Sequence, residues 1–153
     1  MVKLRFISLL IFVGFFLNLL DTAFACRCHK RAVEEYYTDA DMVFSGTVEI
    51  IAWISFNPAY KDIESATTEV TVAPIKIWKG NQLTKVTIYS EPGSCTMRFN
   101  EGKDYLIFAK ERDDGFFETN ICMGTSDIDY ATEDIEKLDV LMFSADLEKQ
   151  NDQ

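Results

Sequence analysis

Hydrophobic and polar positions change period several times along the chain, and each change marks an element. Phe6 to Leu20 is almost continuously apolar. Lys30 to Asp41 then places Ala32, Val33, Tyr36 and Tyr37 at helical spacing around Glu34 and Glu35, which predicts a short amphipathic helix. From Ala40 to Trp53 the period falls to two. Phe44, Gly46, Val48 and Ile50 share one face and Ser45, Thr47 and Glu49 the other, the pattern of a long half-buried strand. Gly46 inside it predicts a bend or bulge. Phe56-Asn57-Pro58-Ala59-Tyr60 and the polar stretch to Ala66 read as a protruding loop. Thr67 to Trp78 is the second strand, with Pro74 marking a bulge or an edge.

Lys79-Gly80-Asn81 turns the chain into a short third strand, Lys85 to Ser90, with Val86 and Ile88 inward. Glu91-Pro92-Gly93-Ser94 is a turn that ends on Cys95. Asn100-Glu101-Gly102-Lys103 turns again before Tyr105 to Lys110, the most apolar strand. Asp113-Asp114-Gly115 is a hairpin signal leading to a fifth strand, Phe116 to Thr119. Ile135, Leu138, Leu141, Met142 and Ala145 restore the helical period, predicting a helix over about 132–147 and a polar, fraying tail over 149–153. Acidic residues fill its first turn, where the helix dipole favours them. Five strands with one helix before and one after suit a mainly β fold, a small closed barrel of the OB type. Periodicity alone leaves another small β-sandwich open. No repeat or second domain is visible in the 153 residues.

The first apolar run carries a second message. Lys3 and Arg5 precede it and Ala23-Phe24-Ala25 follows it, the layout of a secretory signal (residues 1–25) cut after Ala25. At about 15 residues the run is shorter than the roughly 20 a spanning helix needs, which weighs against a retained anchor. A lipidated Cys26 is a third option. Ala in place of the usual Leu and the bulky Phe24 argue against it, and lipidation would leave an odd number of cysteines. Cleavage makes Cys26 the first residue of a secreted, extracellular domain spanning 26–148.

Removing Lys3, Arg5 and Asp21 with the leader leaves 13 basic against 24 acidic residues. That balance argues against nucleic acid and anionic membrane as partners. Cys26, Cys28, Cys95 and Cys122 all lie after the cleavage point, and an even count in a secreted chain implies two disulfides. Cys26 and Cys28 are poorly placed to bond each other in an extended strand, so each is expected to reach a distant partner. A four-cysteine zinc site is the alternative. The spacings lack paired C-x2-C knuckles, and an oxidising compartment disfavours it.

Enzymatic chemistry is poorly served, and the chain is not expected to be an enzyme. Its one histidine, His29, adjoins Cys28, and a Cys–His pair needs a free thiolate. No G-x-S-x-G, H-E-x-x-H or phosphate-cradling glycine loop occurs. Asp113-Asp114 and Asp127-x-Asp129 are read as solvated turn acids, since a full calcium-loop pattern is missing. Trp53, Trp78 and Phe116-Phe117 are read as core and barrel-end residues. What remains is the Cys26 amine. An α-amino group titrates near 7.7–8.0, so a useful fraction is neutral at extracellular pH. With its own carbonyl oxygen it can close a five-membered chelate on a zinc ion that has an open position. The competing reading is that the cysteines only staple the terminus.

Cys26-Arg27-Cys28 at the mature start resembles the tissue inhibitors of metalloproteinases, whose domain is the netrin-like OB barrel. Ala40-Asp41-Met42-Val43-Phe44-Ser45-Gly46-Thr47-Val48, Ser94-Cys95 and Gly102-Lys103-Asp104-Tyr105-Leu106-Ile107 agree with that resemblance, which covers roughly Cys26 to Asp129. It implies the pairings Cys26–Cys95 and Cys28–Cys122. It also implies that Cys26 chelates the zinc of a target protease in trans, through backbone amine and carbonyl. Arg27 would enter the specificity pocket, Cys28, His29 and Lys30 would line the adjoining cleft, and Ser94 beside Cys95 would pack on the other side. The implied function is inhibition of secreted or cell-surface zinc metalloendopeptidases by a monomer. It carries no cofactor of its own, the zinc belonging to the target. A non-inhibitory secreted binding module, using the barrel face or the Phe56 to Ala66 loop, is the alternative. Arg27 stands where the family usually has Thr or Ser, Lys30 where it has Pro, and the family's third bridge in this domain is absent. A charged Arg27 requires an acidic partner or its own desolvation in a largely apolar pocket.

Overall fold

The structure, a computed structural model, describes residues 26–54 and 67–151, with side chains of the last helix described to residue 144. The expected leader (1–25) and the expected Phe56 to Ala66 loop lie outside the described residues. The order is α1 (Val33–Asp39), β1 (Met42–Ile54), β2 (Thr67–Lys79), β3 (Val86–Ser90), β4 (Asp104–Glu111), β5 (Phe117–Glu118), β6 (Ser126–Asp127) and α2 (Thr132–Asn151). Single 3-10 turns stand at Ile121–Met123 and Ile128–Tyr130.

Strands neighbour one another in the order β1-β2-β3-β5-β4, and a β1–β4 pairing closes the ring. The result is the expected closed five-stranded barrel of OB type, antiparallel except where β3 and β5 run parallel. The two-residue β6 adds to β4 outside the ring. Asp113-Asp114-Gly115 makes the expected hairpin: Arg112 N–H donates to the Phe116 carbonyl at 2.7 Å, and Gly115 N–H to the Arg112 carbonyl at 2.9 Å.

Closure of so small a ring depends on bulges in the long β1–β2 pair. Ile75 is extra on β2, next to Pro74 and opposite the step from Ser45 to Gly46. A side chain at Gly46 would sit 2.7 Å from the Ala73 carbonyl oxygen and 2.7 Å from Val72 Cγ1, so glycine lets the two backbones approach. Glu49 is extra on β1. An extra residue reverses the alternation after it. Ile50, expected inward, is therefore exposed, and Ile51 packs on the core instead.

Two cores result. The barrel interior holds Met42, Phe44, Val48, Val70, Val72, Val86, Ile88, Phe99, Tyr105 and Ile107. The second lies between the barrel wall and the two helices, and holds Val33, Val43, Trp78, Leu106, Phe108 and Leu138. β4 is buried on both faces from Tyr105 to Ala109, which explains its near-continuous apolarity. Trp78 belongs to the helix-side core, as expected of a core residue, whereas Trp53 and Phe116 are exposed.

Helix α1 is shorter than expected because residues 26–32 run as coil beside their disulfides. Lys79 Nζ donates to the Tyr37 and Thr38 carbonyls at 2.9 and 3.1 Å, supplying the cation that the end of α1 lacks. Helix α2 packs Ile135, Leu138, Leu141 and Met142 inward and runs to Asn151, four residues past the expected end. No glycine or proline interrupts that run. On β2's flank, Asp139 accepts from Lys76 Nζ at 2.6 Å and from the Trp78 indole N–H. These donors, Lys76 first, hold its carboxyl below the ordinary range against partial burial.

Candidate functional site

Two disulfides fix the N-terminal segment. Cys26 bonds Cys95 and Cys28 bonds Cys122, with Cα separations of 5.1 and 4.9 Å, and no cysteine is left free. The pairing is the one the resemblance implies, and the four-cysteine zinc reading does not describe this oxidised state. The two bridges touch. Cys26 Sγ lies 3.5 Å from Cys122 Sγ and 3.6 Å from Cys28 Sγ, so the segment is pinned at two points by one sulfur cluster.

The body side of each bridge is prepared independently of the sulfurs. The Ile121 N–H donates to the Cys95 carbonyl at 3.1 Å, joining the two receiving segments. Asn120 caps its 3-10 turn by accepting the Cys122 N–H at 2.9 Å. The turn before Cys95 is stapled by Thr96, whose hydroxyl is 2.7 Å from both the Glu91 and Gly93 carbonyls. Buried Ser90 returns the chain to the barrel, with its hydroxyl 3.1 Å from both the N–H and the carbonyl of Met97. On either side of the Cys122 turn in sequence, the Thr119 and Thr125 hydroxyls meet at 2.7 Å. Thr119 donates to the Phe108 carbonyl at 2.7 Å and Thr125 accepts the Phe108 N–H at 3.0 Å.

The segment is held again beyond the bridges. The Arg31 N–H donates to the Tyr36 hydroxyl at 3.3 Å, and the Arg31 guanidinium lies 4.6 Å over the Tyr36 ring and pairs with Asp39. That pairing, chiefly its hydrogen bond, holds the Asp39 carboxyl below its ordinary range. Tyr36 in turn lies on Gly124, whose φ of +91° continues the chain after the Cys122 turn.

Cys26 to Lys30 therefore forms an exposed ridge between fixed points. Arg27, Cys28, His29 and Lys30 are exposed and Cys26 is half-buried. Among the described residues, no ion pair ties down Arg27, His29 or Lys30. Ser94 is exposed beside the ridge, its hydroxyl 4.0 Å from Cys95 Sγ. The seven residues singled out from sequence thus come together on one edge of the barrel. Sequence reasoning missed the supports, Asn120, Gly124, Thr119 and Thr125. A glycine two residues after a cysteine was the one local signal for them.

On the other side of the Pro92-Gly93 turn is an open cavity of about 590 Å³ lined by Ile51, Trp53, Thr68, Met97, Arg98 and Phe99. Among the described residues that line it, Arg98 is the charged one. No helix among the described residues is long and apolar enough to cross a membrane. No protein-family model matches the chain, and no curated protein is significantly similar to it.

Proposed function

We propose that the chain is a secreted, non-enzymatic inhibitor of zinc metalloendopeptidases, with the Cys26 amine and carbonyl closing on the target's zinc. The observation that supports this most is the doubly bridged, exposed Cys26–Lys30 ridge. A chelating terminus is useful only if it is rigid before it binds, because ordering a free terminus costs about 1–2 kcal/mol per residue. Two bridges and the Arg31–Tyr36 anchor meet that cost during folding. The reading requires processing after Ala25, which frees the amine. Arg27 then follows the metal-bound residue into the cleft, and the preferred target is one whose pocket offers a carboxylate. His29, Lys30 and Ser94 border the same edge and contact the rim.

The test is inhibition of several zinc endopeptidase catalytic domains by protein beginning at Cys26, beside a form with one added Ala. The added residue converts the amine to an amide and fills the space the metal needs. Inhibition by the first form alone supports the proposal, and equal inhibition by both forms rejects it.

One observation favours a second reading, a non-inhibitory binding module. Trp53 is 57% exposed at the cavity on the barrel face, where a large aromatic side chain is available to a protein partner. If Trp53→Ala abolished recovery of a partner while Ala extension did not, this reading would replace the first.

A further inference from the structure

The sulfur cluster under the ridge offers a chemistry that neither the stapling nor the inhibitory reading uses. All four Sγ atoms lie within 4.8 Å of one another, although they belong to three separate stretches of chain. Two bridges that start from cysteines two residues apart bring these stretches together at one point. Two of the six sulfur–sulfur separations, 3.5 and 3.6 Å across the bridges, are close to the edge of a zinc tetrathiolate, about 3.8 Å for Zn–S bonds of about 2.3 Å, and the two bonded pairs must separate to reach it.

We propose that in the reduced state these four cysteines form a tetrahedral site for one zinc ion, so that the ridge is held either by two disulfides or by one metal. The chemistry balances. Each bridge accepts two electrons and two protons from a dithiol, which becomes a disulfide, and yields two thiols. Zinc binding then releases the four thiol protons, and reoxidation by a disulfide oxidant returns the bridges and frees the ion. A newly synthesised chain carries the four thiols before any bridge forms, so it needs no reductant to reach this state.

Half of the site survives reduction for reasons unconnected with sulfur. The Ile121 N–H to Cys95 carbonyl bond keeps Cys95 beside the Cys122 turn, and Asn120 fixes the Cys122 backbone. Cys26 and Cys28 hang from Arg31 and buried Val33 by a few residues, which keeps their effective concentration at the cluster high. The cluster is partly exposed, so an ion can enter. The absence of C-x2-C knuckles, which weighed against zinc in the sequence, is offset by this prior assembly. The proposal does not depend on protease inhibition, since it concerns only the chain's own sulfurs.

The experiment uses protein recovered from a secretory host, reduced by a phosphine without oxygen and titrated with cobalt(II) alone, then with zinc. The expected result is one cobalt per chain, with intense tetrahedral bands and thiolate-to-metal charge transfer that zinc abolishes. The oxidised protein should show none of that charge transfer. Cys122→Ser should lose stoichiometric binding, and circular dichroism of the reduced wild-type chain should show barrel structure once metal is bound. Weak octahedral absorption, no one-to-one endpoint, or equal binding by Cys122→Ser would each overturn the proposal. So would a reduced wild-type chain that stays unfolded with saturating metal.

Discussion

Gly124→Ala isolates how helix α1 is seated against the segment that receives the ridge. Two costs meet at this position. Its φ of +91° is a conformation that a side chain adopts at a cost of about 1–2 kcal/mol. In addition, a Cβ would stand 2.9 Å from Cγ and Cδ2 of the Tyr36 ring and 3.3 Å from Phe108 Cδ2. Tyr36 has no free direction of retreat, because its ring packs on Phe108 at 5.7 Å and its hydroxyl holds the Arg31 N–H. Forcing an extra methyl into such a contact costs about 1–3 kcal/mol. Gly115 supplies the control. Its φ is +80°, and a Cβ there meets nothing within 4 Å, so Gly115→Ala carries the backbone cost alone. Urea unfolding of both variants should show Gly124→Ala less stable than Gly115→Ala by about 1–3 kcal/mol. The excess should shrink when Tyr36 is also changed to Ala, since the two sites then no longer collide. Equal losses for the two glycine variants would refute the packing argument.

Three further outcomes follow from the same contacts. Thr125→Val keeps the shape but strands the buried Phe108 N–H, leaving Thr119 only its bond to the Phe108 carbonyl, and should cost about 1–3 kcal/mol in urea unfolding. Changing Cys28 and Cys122 together to Ser removes one of two interleaved bridges; with Cys26–Cys95 kept, the loop it opens is about 30 residues, and stability should fall by up to about 3.6 kcal/mol in urea unfolding. Asp139→Asn removes a half-exposed ion pair with Lys76 and should cost only about 0.5–1 kcal/mol at neutral pH. Because the folded Asp139 pKa lies below its unfolded value, the wild-type advantage should hold above the ordinary carboxylate pKa. It should fade as pH falls through the depressed folded value, which thermal melts of both proteins across acid pH would show.

The strands were legible because period-two alternation and Gly or Pro punctuation mark them directly. Pro74 and Gly46 announced the β1–β2 irregularity, and Asp113-Asp114-Gly115 the hairpin. The reversal at Glu49 was hidden, since a bulged residue carries no mark of its own and the residues beyond it, Ile50 and Ile51, are both apolar. The exposure of Trp53 was not legible for the same reason: an apolar side chain near a strand end does not reveal which way it points. β6 is two residues long, too short for any period, and exists only because β4 offers it an edge. At the site, the cysteines declared themselves by chemistry. Their supports did not, because the Thr119–Thr125 pair and the Gly124–Tyr36 contact join residues far apart in sequence through neighbours that only the fold creates.

The proposed inhibition rests on a bond between the Cys26 amine and another protein's metal. Its most direct test is the visible spectrum of a cobalt(II)-substituted zinc endopeptidase titrated with oxidised protein beginning at Cys26. The cobalt bands should shift and saturate at one chain per metal, with no shift for the Ala-extended form. Binding that leaves the cobalt spectrum unchanged, or an equal shift from the extended form, would contradict it.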